Sequence, residues 1–276
     1  MINKKSPSRV SIAIRNTIFS LKNNQPLLEK PKLKDFTVRI ANSLEEREAV
    51  FKLAYQVYLH KGFIKENSQQ WLINAYDTEP ETVILIVRDS QKNIAGSLTM
   101  VFDGYKKLPA DKIYHAELNT LRNSKKRIIE ISRLVISPNY RNSKEILILL
   151  FNYMAIYATK VNQANNIIIE VNPRHKEYYK SILCFEEIGG LKSCPQVKGA
   201  PAVLLSLSSN TYQTEIYRCN NGQLLDKKER TLYPFFIKKE QESLVAQYLR
   251  NQTKPMSADE KIYFGFSESG LFQAAY

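Results

Sequence analysis

Glu130, Ser132 and Arg133 are the residues of this chain whose types and spacing most invite chemistry. They interrupt an otherwise apolar run in which Ile128, Ile129, Ile131, Leu134, Val135 and Ile136 supply the aliphatic content of a central strand. A carboxylate and a guanidinium in such a strand are costly unless they pair or face a cleft. The sequence leaves two readings open. In one, Glu130 and Arg133 form a buried ion pair that fixes strand register. In the other, Glu130 sits at a cleft as a base or amine anchor, and Arg133 orients it or takes a substrate carboxylate. The residues that follow favour the cleft. Pro138 ends the strand, Tyr140 to Ser143 form a polar loop, and Lys144 to Asn162 read as a helix. The first N–H groups of that helix then face the mouth of the strand, an arrangement that suits a phosphate.

The flanking elements follow from local pattern. Phe36 to Ala41 alternates as a strand, and Ser43 with Glu46 forms a capping box that opens a helix to about His60. Asn74-Ala-Tyr-Asp77 precedes a strand over Thr82 to Arg88, and Asp77 is equally able to cap a turn there. A second strand, Ile94 to Asp103, follows a turn at Ser90 to Asn93. Leu108 to Asn123 reads as a short helix and loop. Beyond the long helix, Asn166 to Asn172 is an apolar strand, Pro173 opens a helix carrying His175, Tyr178 and Tyr179, and Gly199 to Ser208 is a closing strand. Tyr212 to Phe236 is polar and rich in turn formers, Ile237 to Arg250 reads as a helix, and Ser257-Ala-Asp-Glu260 caps another.

The strand, the Ser137-Pro-Asn-Tyr-Arg141 loop and the long helix resemble the donor-binding core of the GNAT acyltransferase superfamily. Glu130-Ile-Ser-Arg133 is similar to the Glu-x-Ser-Arg signature of acyl-homoserine-lactone synthases and of the related long-chain N-acyl amino acid synthases of the FeeM type. Ala200-Pro-Ala-Val-Leu-Leu205 looks more like the latter. The resemblance spans about Phe36 to Ser208. It implies a GNAT fold of mixed α/β type: a twisted sheet flanked by helices, with splayed central strands between which a pantetheine arm inserts. It also implies catalytic roles for Glu130, Arg133 and Tyr179, with the phenol of Tyr178 or Tyr179 close to the leaving thiolate. Asp77, Ser132 and His175 would bind substrate. The backbone of Leu134 and Val135, together with Arg141, Asn142 and Ser143, would hold the donor. The glycines of the superfamily's usual loop are replaced by Lys144 and Ile146, which argues against a tight coenzyme A site. A phosphopantetheine arm on an acyl carrier protein remains compatible. Ala54, Asn74 and Thr99 stand where lactone synthases carry charged residues for S-adenosylmethionine.

Composition bounds the rest. The chain has 276 residues, 43% of them hydrophobic, enough for a large core. No run of about 18 apolar residues and no signal-peptide pattern occurs, so a cytoplasmic protein is expected. Three cysteines and three histidines, all scattered, support neither a disulfide framework nor a metal site, and no tightly bound cofactor is expected. The formal charge of +13 includes eight basic and two acidic residues within positions 1–35. Such a surface suits an acidic carrier protein or an anionic membrane, and Ser8 to Lys22 has the mixed pattern of an amphipathic helix able to make peripheral membrane contact. Nucleic acid is disfavoured because no recognition motif accompanies the charge.

The sequence therefore divides into a basic arm and linker (1–35), an acyltransferase domain (36–208) and a C-terminal extension (209–276) expected to pack on the core or cover an acyl tunnel. The expected reaction is transfer of a long-chain fatty acyl group from an acyl carrier protein thioester, or acyl-CoA, to the amine of an amino acid. Two alternatives stay open: a lactone-type signal synthase and a non-catalytic carrier-protein or membrane-binding scaffold.

Overall fold

The apolar runs pair into one sheet. In the computed structural model, which describes residues 35–141, 143–194, 199–223 and 230–267, the strands are β1 (Thr37–Ile40), β2 (Val83–Arg88), β3 (Ile94–Phe102), β4 (Ile128–Ile136), β5 (Asn166–Val171), β6 (Glu186–Cys194) and β7 (Ala200–Ser208). Their order is β1-β2-β3-β4-β5-β7-β6. Every neighbouring pair is antiparallel except β4 and β5, which are parallel. A parallel pair needs a crossover, and the helix α3 (Lys144–Ile156), ending in a π-helical turn at Tyr157–Val161, supplies it.

Alternation along the strands assigns the two faces. Val83, Leu85, Val87, Ile129, Ile131, Ile167 and Ile169 pack with α3 in the main core. The helices α4 (Lys176–Leu183), α5 (Ser209–Asn220) and α6 (Lys239–Gln252) join that side through Ile182, Tyr212 and Leu249. The opposite face carries α1 (Leu44–His60), α2 (Asp111–Asn123) and α7 (Ala258–Tyr263). It is packed through Phe51 on Ile84 and Ile86, through Tyr114 and Leu118 on Ile128 and Ile168, and through the α7 C-cap residue Phe264. Helix α3 is buried almost all round because the sheet lies on one side of it and α6 on another.

Several elements depart from their sequence-based expectation. Ser43 caps α1 by accepting the Glu46 N–H (3.3 Å), but Glu46 does not close the box. Its carboxylate accepts the Asn42 N–H (2.9 Å) and pairs with Arg39 and Arg88, two cations that compete for it. The capping box is complete instead at α7, between Ser257 and Glu260. The turn-rich stretch expected from Tyr212 begins as helix α5, capped by Ser208. Strand β6 has no counterpart in the expected elements, because Glu186-Glu-Ile-Gly-Gly190 lacks alternation and has Ile188 as its only β-former. It forms as an exposed edge against β7.

The C-terminal extension closes over β1 and α1. Ile40 N–H donates to Gln252 (3.1 Å), the Tyr248 hydroxyl to the Val38 carbonyl (3.1 Å), and Arg47 pairs with Glu260 in the interior. The basic arm and linker before Asp35 lie outside the described residues. No helix of the described residues is long and apolar enough to cross a membrane.

Candidate active site

Two local distortions of the central strands build the site. The first is a bulge in β4. Thr99 pairs with Arg133 while Met100 pairs with Ile131, which leaves Ser132 as the extra residue. Residues three apart on a regular strand point to opposite faces. The bulge cancels that rule, so Glu130 and Arg133 both face the side of α1 and α2. Ile129 and Ile131 meanwhile stay in the α3-side core, and Val135 packs on Ala54 and Val57 of α1.

The second distortion is the early divergence of β4 and β5. They pair only over Ile128–Glu130 and Asn166–Ile168. Beyond Glu130, β4 has no strand partner on its β5 side. A cavity of about 840 Å³ occupies the gap. Its apolar wall includes Tyr58, Phe63, Leu72, Leu147, Phe151 and Ile169, and its polar residues fall into two groups.

Glu130 lines the cavity and is only 3% exposed, with its Oε2 accepting the Ala110 N–H at the start of α2 (2.8 Å). Burial pushes its carboxyl up to about 8, and the Glu170 and Asp111 carboxylates add to this, whereas the Ala110 N–H and the Lys112 ammonium pull it down. Glu170, on β5, is raised too, by burial, against a hydrogen bond from Cys194 and the charge of Lys112. Ile168 belongs to the α2-side cluster, so Glu170 two residues on shares the face of Glu130. Lys112 also lines the cavity.

The other group is basic. Lys61, Arg141, Arg174 and His175 all line the cavity. Burial lowers the Lys61 ammonium to about 8, and the charges of Arg141 and Arg174 reinforce the shift. His175, 4% exposed, is lowered to about 4 by burial and by Arg174 and Lys61, so it is neutral at physiological pH. The Arg174 Nε donates to its Nε2 (3.1 Å), which leaves the proton on Nδ1.

The residues singled out in the sequence divide accordingly. Glu130, Ser132, Arg133, Leu134, Arg141, His175 and Tyr179 line the cavity. Arg133 does not pair with Glu130. It forms a buried ion pair with Asp77, donates from Nη1 to the Leu72 carbonyl (2.8 Å) and lies over the Phe51 ring. Asp77 is not among the lining residues. It is 5% exposed, and its second oxygen accepts the Asn74 N–H (2.7 Å). The expected direct substrate contact from Asp77 is thereby replaced by a supporting position behind Arg133.

Val135 turns its side chain to α1. Ser143 stands at the N-cap position of α3 without a side-chain capping hydrogen bond and without lining the cavity, its hydroxyl donating to Glu145 (2.8 Å). Asn142 lies outside the described residues. Tyr179 is half-buried, packing edge-on against Phe151, Tyr178 and Phe185, and burial raises its phenol to about 12, so it carries its proton at neutral pH. Sequence reasoning missed Lys61, Lys112, Glu170 and Arg174. Only Glu170 left a signal, a carboxylate inside the apolar run Ile167-Ile-Ile-Glu-Val171, the same kind of interruption that marks Glu130.

No curated protein matches the chain. Among solved structures, FeeM, an N-acyl amino acid synthase from uncultured soil microbes, is similar at 23% identity with a TM-score of 0.57, covering 65% of this chain and 94% of that one. The acyl-homoserine-lactone synthase LasI (15% identity, TM-score 0.49) matches over 63% of this chain and 90% of its own. The spermidine N-acetyltransferase SpeG of Vibrio cholerae, as its N152L mutant (14%, TM-score 0.45), matches over 65% and 96%. The fold is the GNAT acyltransferase fold. The family described as N-acyl amino acid synthase FeeM matches residues 49–208, which hold both distortions and every residue named at the cavity. The chain therefore belongs to the N-acyl amino acid synthase FeeM family of acyltransferases.

Proposed function

We propose that this enzyme moves a long-chain fatty acyl group from the thioester of an acyl carrier protein to the α-amine of an amino acid. The single observation that carries the reading is a largely apolar cavity of about 840 Å³ opening between β4 and β5, with a buried carboxylate, Glu130, in its wall. An ammonium must lose a proton before it attacks a thioester. Glu130, poised near 8, takes that proton directly or through a water. The amine nitrogen then bonds to the thioester carbonyl carbon, and the oxyanion is held by a backbone N–H near Leu134 on the side of β4 that β5 leaves open. Collapse breaks the carbon–sulfur bond, the pantetheine thiolate takes the phenol proton of Tyr179, the cationic nitrogen gives up its second proton, which returns to the tyrosinate through water, and the amide product forms.

Three features support a carrier-protein donor. Lys144 and Ile146 occupy the start of α3 where glycines would admit a diphosphate, and the Ser143 hydroxyl is turned to Glu145. The basic residues Lys61, Arg141 and Arg174 line the cavity and provide for a single phosphate. The formal charge of +13 favours an acidic partner.

Untargeted mass spectrometry of lipids from a host expressing the chain tests this reading. A new fatty amide ion present with the wild type and absent with Glu130→Gln is the expected result. Wild-type protein that yields no acylated amino acid with any acyl carrier donor overturns it.

A further inference from the structure

Three charged groups act on Glu130: Glu170 and Lys112, which line the cavity with it, and Asp111, which does not. Asp111 is committed to the fold, accepting from Arg122 through both oxygens (2.7 and 2.6 Å) and from the Leu108 N–H (2.8 Å). Arg133, the cation nearest in sequence, is committed to Asp77 and the Leu72 carbonyl. Two carboxylates and one ammonium remain. Lys112 is exposed on the first turn of α2, directly after the Ala110 and Asp111 segment that lies on Glu130, and it forms no ion pair among the described residues. Its charge acts on both Glu130 and Glu170.

An α-amino acid carries its ammonium and its carboxylate on the same carbon. A site that deprotonates the amine at Glu130 must therefore meet the carboxylate a few ångströms away. The charges of Arg141 and Arg174 act on Lys61, and those of Arg174 and Lys61 on His175, while the charges that act on Glu130 are those of Glu170, Asp111 and Lys112. The carboxylate partner is thus sought among the cavity-lining groups that act on Glu130 and not in the basic group.

Building on the acyl-transfer reading above, we propose that Lys112 is the specificity-determining partner of the acceptor's α-carboxylate. In this seat Glu170 accepts a second N–H of the ammonium whose proton Glu130 removes. The three side chains form a dipolar seat for a zwitterion. It favours amino acids over simple amines and over amino acid amides, because an acceptor without the carboxylate leaves Lys112 facing only the two glutamates.

The test compares initial rates of the full chain with a dodecanoyl carrier-protein thioester and three acceptors: the best of the twenty amino acids, its carboxamide and its decarboxylated amine. The wild type should prefer the acid over the other two by at least about 100-fold in kcat/KM, the scale of a charge-assisted pair. Lys112→Met should lower that preference about 10-fold or more, chiefly through KM for the acid, and Lys112→Arg should keep most of it. Glu170→Gln should raise KM for all three acceptors, since each brings an amine. A wild type that uses amide and amine as readily as acid overturns the proposal, as does an acid preference unchanged in Lys112→Met. A wild type that acylates none of the three overturns the acyl-transfer reading itself, a result distinct from acylation without preference. Because Lys112 is exposed, its replacement leaves the fold intact, and a thermal melt of each variant checks this.

Discussion

A carboxylic acid held near 8 has two measurable consequences at the position it occupies. Glu130 should impose on kcat/KM a rise with pH whose inflection lies near 8, as the base form becomes available, and Glu130→Gln should remove the inflection and cost about 100-fold or more in rate. The second consequence concerns stability. The folded value lies above the ordinary 4.5, so the native protein retains a proton that the unfolded chain has released. The stability linked to that proton is intact below about 4.5 and lost as pH rises through about 8. Glu130→Gln should therefore melt several degrees above the wild type at pH 9 and close to it at pH 4. A gain of stability coupled to a loss of activity marks a group placed for reaction at a structural cost. This much was legible in the residues: a charge inside an apolar strand needs a reason, and the cavity supplies one. The identity of Arg133's partner was not legible. Asp77 is far away in sequence, and the fold alone brings the two together.

At the scale of elements, the β4 bulge and the approach of α2 determine what the site can do. Arg133 and Asp77 are buried as a pair, and removing one charge strands the other. Asp77→Asn should cost about 3–5 kcal/mol in urea unfolding, and the double change Asp77→Leu with Arg133→Met should recover much of that loss. Equal stability of wild type and Asp77→Asn would show that the pair contributes nothing. Helix α2 lies close on the sheet because Gly189 lacks a side chain. A Cβ there would sit 2.7 Å from the Tyr114 ring and 2.9 Å from the Leu204 Cβ. Gly189→Ala should destabilise by about 1–3 kcal/mol and, by lifting the helix that carries Ala110 and Lys112, raise KM for the acceptor more than for the donor. Strands β1 to β5, β7 and most helices could be placed from periodicity and caps. Strand β6 could not, because a polar edge strand is formed by its neighbour's hydrogen bonds and not by its own composition.

For the whole molecule, the proposed acyl transfer requires the cavity to set the length of chain that fits. Leu147 of α3 lines it and is 6% exposed. Leu147→Trp should shift the fatty amide products to shorter acyl chains and Leu147→Ala to longer ones, read from product masses in an expressing host. An unchanged distribution in both would place the acyl chain elsewhere. No residue of the described C-terminal extension lines the cavity, whose last lining residue is Ala202. The extension acts by covering β1 and α1, through Gln252, Tyr248 and Glu260.

The sequence by itself determined the strand that carries Glu130, the helix that returns the chain to a parallel neighbour, and the family signature that joins them. All of these are local: periodicity, proline and capping act over a few residues. Tertiary structure decided the rest. The extra residue at Ser132 aligned Glu130 with Arg133, the divergence of β4 from β5 opened the cavity, and packing gathered Lys61, Lys112, Glu170 and Arg174 from four separate segments around it. Register and strand separation depend on partners distant in the chain, and no short stretch of residues encodes them.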